Sequence, residues 1–215
     1  ATDGDTVRLL SDVEPDEELT IGQAVTLDLN GHTIDSKYDV RSAINIESNG
    51  VKITDSTVSG SRADGQAGGT IIAPTLALRI SGYNDVTIEK IAIESATTAI
   101  QIGAGQGSSV TVDGVTIEAG NGILVVGSYG RDGAAAQQAD PSTYNRLVLT
   151  NSRVTGAGYG VLGNGLSHGT VITIADSAIT CTGVESSLVP GKKTATAVFH
   201  PQVGNLTISG NTTIS

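Results

Sequence analysis

Val86-Thr-Ile-Glu-Lys-Ile-Ala-Ile93, followed by Ala99-Ile-Gln-Ile102, is one full unit of the pattern that decides the fold. From Val86 apolar and polar residues alternate, the period of a strand with one buried face. The same opening recurs as Val25-Thr-Leu-Asp-Leu29, Val51-Lys-Ile-Thr-Asp55, Val110-Thr-Val-Asp-Gly114, Leu147-Val-Leu-Thr-Asn151, Ile172-Thr-Ile-Ala-Asp176 and Leu206-Thr-Ile-Ser-Gly210. In the last six units the next inward position lies seven residues on: Val51 to Val58, Val86 to Ile93, Val110 to Ile117, Leu147 to Val154, Ile172 to Ile179 and Leu206 to Thr213. A third strand recurs as Ala43-Ile-Asn-Ile-Glu47, Leu76-Ala-Leu-Arg-Ile80, Ala99-Ile-Gln-Ile102, Gly122-Ile-Leu-Val-Val126 and Gly160-Val-Leu-Gly163. Ala197-Val-Phe-His200 extends the set, with an ambiguous in/out phase. Self-similarity at a fixed period marks a repeat architecture.

Three short strands per coil, with about two dozen residues in a minimal coil, fit an all-β chain. The expectation is a right-handed, single-stranded parallel β-helix, a three-faced solenoid of about seven coils spanning roughly 30 Å at about 4.8 Å per coil. One coil cannot bury its inward Val and Ile, whereas stacked coils bury them in a continuous column, each worth about 1.5–3 kcal/mol. The repeats make residues 1–215 a single β-helix domain. Because Ser215 follows directly on a strand-like repeat, the chain reads as a piece excised from something longer.

Composition agrees with this. Val, Ile, Leu and Ala carry the apolar content, with one Phe, no Trp and no Met, as repeated strands of small β-branched residues require. The 28 glycines suit a chain with many tight turns. The formal charge of −10 argues against nucleic-acid or anionic-membrane partners, which need clustered Lys and Arg. No apolar run is long enough for membrane insertion. The lone Cys181 lies at an apolar-phase position in Ile179-Thr-Cys181 and reads as a buried, inert thiol. Asp55, Asn151, Asp176 and Asn211 lie at or beside the constant corner, where short polar side chains cap turns and stack.

Thr2-Asp-Gly-Asp-Thr-Val-Arg-Leu-Leu10, then Leu19-Thr-Ile21 and Val25-Thr-Leu-Asp-Leu-Asn-Gly-His-Thr-Ile34, resembles the opening of pectin-lyase-like β-helix domains. The repeats carry the likeness through to residue 215. The resemblance implies a bacterial protein that is secreted or displayed on the cell surface. It leaves the activity open, because lyases, glycosidases, tailspikes and adhesins share the fold.

Length variation points to a site. The corner between the first and second strands reads as free of insertions. Residues 59–75 and 182–194 lengthen the corner before the third strand, and residues 127–146 the corner after it. All five tyrosines (Tyr38, Tyr83, Tyr129, Tyr144 and Tyr159) fall in these two corners and none in a repeat strand. Loops on a rigid scaffold commonly carry function. The outer surface of the third strand is therefore the candidate groove, and pectin-lyase-like enzymes use the corresponding face. Asn45, Glu47, Arg79, Ser81 and Gln101 point outward there by parity. Asn45, Glu47, Arg79 and Gln101 form the floor, with Arg62, Tyr129, Arg131 and Tyr144 on the rim as ligand-binding candidates.

No catalytic set stands out. A polysaccharide lyase needs a basic residue with further cations or Ca²⁺, and Arg79 is the one clear base on this face. Asp64, Asp132, Asp140 and Glu47 could supply oxygen ligands, so Ca²⁺ is the single cofactor left open, without Asp-x-Asp-x-Asp spacing to support it. A glycosidase needs two facing carboxylates, and Glu47 has no partner on the adjacent coils. Ser167-His168-Gly169 resembles the Gly-His-Gly of polygalacturonases, but the companion motifs are missing, and His168 and His32 read as turn residues. A column of Thr26, Thr87, Thr111, Thr173 and Thr207 would suit an ice-binding solenoid, but Lys52 and Val148 interrupt it.

The expectation is a non-catalytic, surface-displayed module, adhesin-like or carbohydrate-binding, whose partner is a glycan or a host or matrix surface ligand. The alternatives are a lyase or glycoside hydrolase acting on acidic glycans, and a structural spacer.

Overall fold

A computed structural model describes residues 1–103, 107–126, 141–164, 169–183, 196–201 and 204–215. It is an all-parallel β-helix. The first face stacks β1 (Thr6–Arg8), β3 (Thr26–Asp28), β6 (Lys52–Thr54), β9 (Val86–Glu89), β11 (Ser109–Asp113), β13 (Asn145–Thr150), β15 (Thr170–Ala175) and β18 (Gly204–Ser209), in that order. An 11-stranded sheet makes the other two faces. Its main path runs β2 (Leu19–Ile21), β5 (Ser42–Ile46), β8 (Leu76–Ile80), β10 (Ala92–Ile102), β12 (Thr116–Val126), β14 (Arg153–Asn164), β16 (Ala178–Cys181) and β19 (Thr213–Ile214). Three further strands join it: β4 (Thr33–Asp35), β7 (Thr70–Ala73) and β17 (Thr196–Phe199). Among the described residues there is no α-helix, and no helix is long and apolar enough to cross a membrane.

The register lines the apolar residues into columns. Val7, Leu27, Ile53, Ile88, Val112, Leu149, Ile174 and Ile208 stack on the first face. Ile34, Ile71, Ile93, Ile117, Val154, Ile179 and Ile214 stack on the second. Leu19, Ile44, Leu78, Ile100, Ile123, Val161 and Val198 stack on the third. The columns meet in one continuous core. The first face has one rung more than the seven segments of the repeat, because Thr6–Arg8 precedes them.

The three strands of a coil are not separate everywhere. In β10, β12 and β14 the second and third strands run together as 11 or 12 residues, and register shifts at Ser95/Thr98 and Ala119/Asn121 mark the bend in two of them. Small residues make the bend possible. A Cβ on Gly122 would lie 2.3 Å from Val154 Cγ1, and one on Gly160 would lie 2.4 Å from Ile179 Cγ2.

The first corner is a second organising column. Lys90, Gly114, Asn151, Asp176 and Gly210 occupy equivalent places after the first strand, all with φ between 50° and 62°. Glycine, asparagine and aspartate tolerate this left-handed turn best, which accounts for four of the five. Beside them runs a hydroxyl ladder: Ser152 Oγ accepts from Val115 N (3.2 Å), and Ser177 Oγ accepts from Ser152 N (3.1 Å). Each hydroxyl donates to the carbonyl two residues earlier.

Two of the expected offsets fail. Val58 is buried, but the position that stacks between Ile34 and Ile93 belongs to Ile71. Residues 59–75 are therefore not a loop throughout, since Thr70–Ala73 is a strand. The insertion lies in the corner that had seemed closed to insertions, between the first and second strands. Gly69 lets the chain return there, because a Cβ would lie 2.4 Å from Leu29 Cβ and 2.9 Å from the His32 carbonyl. At the last coil Ile214, not Thr213, pairs with Ile179, the corner being one residue longer.

Stacking makes the middle of the rod costliest to perturb. Ile100→Ala should lower the unfolding free energy by about 2–5 kcal/mol, whereas Ile214→Ala, at a half-open end, should cost under about 1 kcal/mol. Urea denaturation of both variants checks this, and equal losses would contradict a continuous buried column.

Candidate functional site

The outward column of the third face reads Thr20, Asn45, Arg79, Gln101, Leu124, Leu162 and Phe199. Asn45, Arg79 and Gln101 are thus direct neighbours on successive coils, and Asn45 Nδ2 donates to Glu47 Oε1 at 2.7 Å. Asn45 is buried, Arg79 and Gln101 are half-buried, and Glu47 is exposed. The Arg79 guanidinium makes no ion pair or hydrogen bond among the described residues. The parity of the third strand alone placed these four residues together, and the fold keeps them together.

The rim is different. Arg62 belongs to the insertion at the first corner, in a 3₁₀ turn at Arg62–Asp64, where its backbone N–H donates to the Gly114 carbonyl at 2.7 Å and its guanidinium to the Gln66 carbonyl. It does not wall the third-strand face, because the insertion leaves one strand too early. Tyr144 is buried rather than presented on a rim. Tyr159 sits within β14, buried against Leu124, Val126 and Leu162 and 5.8 Å from the Phe199 ring. Tyr129 and Arg131 lie outside the described residues, as do Asp132, Asp140 and His168. The apolar stretch of the face went unnoticed in sequence, although Gly122-Ile-Leu-Val-Val126 is apolar in both phases, as a strand covered on two sides is.

The insertion is docked firmly. Ser61 Oγ donates to the Asn151 carbonyl (2.7 Å), and an Arg153 guanidinium N–H donates to the Ala63 carbonyl (3.3 Å). It borders a polar groove of about 430 Å³ along the turn column, lined by Asp64, Asp113, Asn151, Arg153, Asp176 and Asn211 among others. On the second face, Glu94 and Glu118 are register neighbours, both exposed and both without a hydrogen-bond or ion-pair partner among the described residues. Arg62 lines the cleft beside them. Each glutamate directly follows the inward isoleucine of its unit, so aligning the repeats column by column would have found the pair.

Asp64 and Glu47 stand on different corners, and among the described residues no group of three or more His, Cys, Asp or Glu could hold a metal ion. Cys181 is half-buried and packs against the core, with its thiol 3.0 Å from the Gly158 carbonyl. His32 Nδ1 lies 3.3 Å from Asp12 Oδ1 on the turn beside β4. No protein-family model, curated protein or solved structure matches the chain.

Asp55 ties the insertion to the body. Its carboxylate is fully buried and accepts from Gly31 N (3.0 Å), Thr57 N (2.7 Å), Thr57 Oγ1 (2.5 Å) and Gly69 N. Burial opposes its ionisation, but the bonds from Thr57, Gly69 and Gly31 outweigh burial and hold it below the ordinary 3.8. Asp28 follows the same logic, with burial opposed by bonds from Ser56 and Asn30 and by Arg8 at 2.9 Å. A carboxylate depressed in the folded state stabilises fully above its unfolded pKa, and the contribution drains away as pH falls through the folded value. Stability should therefore drop as pH falls below about 3.8. Asp55→Asn, which turns an amide N–H₂ toward the Gly31 and Gly69 donors, should be less stable at neutral pH and flatter in its acid dependence. Thermal unfolding against pH reads both.

Proposed function

We propose that this chain is a non-catalytic β-helix module of the pectin-lyase-like kind, displayed on a bacterial cell surface, that binds a glycan carrying acidic groups. The observation that carries the reading is Arg79, a half-buried guanidinium with no ion-pair partner among the described residues, set between the amides of Asn45 and Gln101 on adjacent coils. A planar fork of donors flanked by amides suits a carboxylate with neighbouring hydroxyls. Glu47, bonded to Asn45, borders the same floor and orients the amide. A rigid rod holds such a patch away from the surface that bears it, which suits an adhesin or a matrix-binding module. Tyr129 and Arg131 remain candidates for its rim.

Binding of uronate oligosaccharides and host-matrix glycans, measured on an array and by calorimetry, tests this. Arg79→Ala should weaken binding about tenfold or more, the worth of a charge-assisted hydrogen bond. Affinity unchanged by Arg79→Ala would move the site elsewhere. No binding to any glycan or matrix protein would make the chain a structural spacer.

One observation favours a second reading, glycoside hydrolysis. Glu94 and Glu118 are exposed register neighbours on adjacent strands of the second face, and glycoside hydrolysis works through such a pair of carboxyl groups, one as acid and one as nucleophile. A glycan-hydrolysis screen decides between the two. Product release that is lost in both Glu94→Gln and Glu118→Gln would establish the enzyme.

A further inference from the structure

A rod of stacked repeats is held by nearest neighbours, so it can open at any point, one coil at a time. The turn column of the first corner follows that rule. Ser152 bonds to Val115 on the coil before it, and Ser177 bonds to Ser152. The insertion at residues 56–69 breaks the rule. Its foot is set in two coils: the buried Asp55 carboxylate accepts from Gly31 N on the coil of β3, and from Thr57 N and Gly69 N on its own. Asp28, also buried, accepts from Ser56 N at 2.9 Å. Val58 is buried against Gly68, where a Cβ would lie 2.5 Å from Val58 Cγ2.

From that foot the chain passes the coil of β9 and β10 and fixes its tip on the two coils beyond. Arg62 N donates to the Gly114 carbonyl (2.7 Å) in the turn after β11. Ser61 Oγ donates to the Asn151 carbonyl (2.7 Å) in the turn after β13, and the Arg153 guanidinium donates to the Ala63 carbonyl (3.3 Å). These last two bonds join residues 90 apart in sequence. Ser61 Oγ also accepts from Ala63 N (3.1 Å), which caps the 3₁₀ turn and stiffens the tip. The column is adapted to this passage. Gly114 has the left-handed φ that Asn151 and Asp176 adopt on later coils. A Cβ on it would lie 3.2 Å from Ser61 Cα and 3.3 Å from Ser61 Oγ, so the tip rests directly on the glycine.

We infer that this insertion is a clip that couples coils not in contact with one another, so that the stretch from β3 to β14 opens as one unit instead of coil by coil. A coil inside the clip cannot part from its neighbour unless the foot or the tip also lets go. The clipped stretch holds Asn45, Arg79 and Gln101, the register neighbours on the third face. A contact at the first corner thus keeps together the strands that carry a floor on the far side of the rod. The coils of β15 and β18 lie beyond the tip and have only nearest-neighbour support.

Native-state hydrogen exchange of the 215-residue chain, read by mass spectrometry in rising sub-denaturing urea, tests the inference without any ligand. Peptides from β5, β8, β10, β12 and β14 should converge on one exchange rate, with those from β15 and β18 exchanging faster. Ser61→Ala combined with Arg153→Ala removes both bonds from the tip to the coil of β13, at two side chains outside the core. Exchange in β13 and β14 should then rise about tenfold or more, as expected for two lost hydrogen bonds, while β5 and β8 keep the wild-type rate. Gly114→Asn keeps a residue suited to the turn but puts its side chain where Ser61 sits, and it should have the same effect. Thr111→Ala, an exposed position in the same stretch with no hydrogen bond to the clip, should change nothing. Wild-type exchange that is graded smoothly from the ends inward overturns the inference. So does an unchanged pattern in the double variant and in Gly114→Asn, or the same uncoupling in Thr111→Ala.

Discussion

The inward side chain of every strand is buried by the coil above and the coil below, and almost everything else in the molecule depends on that contact. A single coil encloses too little volume to shield its own Val, Ile and Leu, so no coil is stable alone and every interior coil has two stabilising neighbours. Parallel, in-register stacking at the spacing of neighbouring strands keeps like residues over like, which is why isoleucine recurs along a column of the second face from Ile34 to Ile117. The same geometry explains the shortage of aromatics. Rings projecting into a narrow cross-section would have to be accommodated in every coil, whereas β-branched residues fill it and stiffen the strand.

Stacking also imposes its order on polar groups. At the first corner, five coils repeat a left-handed residue at one position, and serine hydroxyls beside it bond from coil to coil. These contacts satisfy backbone groups that the turn would otherwise leave without partners, so the corner is a ladder in its own right. Asp55 shows what happens when the ladder is interrupted. Its coil leaves the column to make the insertion, and a buried carboxylate with four hydrogen bonds takes over the task that turn residues perform elsewhere.

Stacking decides, too, where chemistry can be built. Outward residues on adjacent coils are held side by side whether or not they suit one another. Arg79 between Asn45 and Gln101 is a favourable neighbourhood for an anion, and Glu94 beside Glu118 is an unfavourable one for the protein itself. A rigid ladder tolerates the second arrangement because solvent screens two exposed carboxylates. The inward columns have no such freedom, which is why variation in this chain is concentrated in corners and on outer faces.

The parallel β-helix, the columns of the first and third faces and the outward group Asn45, Glu47, Arg79 and Gln101 were legible in the sequence, because period-two alternation fixes which side of a strand each residue faces. Alternation is a local property, and it survives wherever a strand is covered on one side only. It could not say which of Val58 and Ile71 enters the second column, since both are apolar, and the choice depends on Gly69 passing against Leu29 from another coil. For the same reason the insertion at 59–69 was assigned to the wrong corner, and Arg62 with it. Tyr144 and Tyr159 read as surface groups because loops are usually exposed, and only packing buried them. Strand phase is set by neighbours along the chain, but the corner that an insertion occupies, and what a tyrosine touches, are set by residues brought close from other coils.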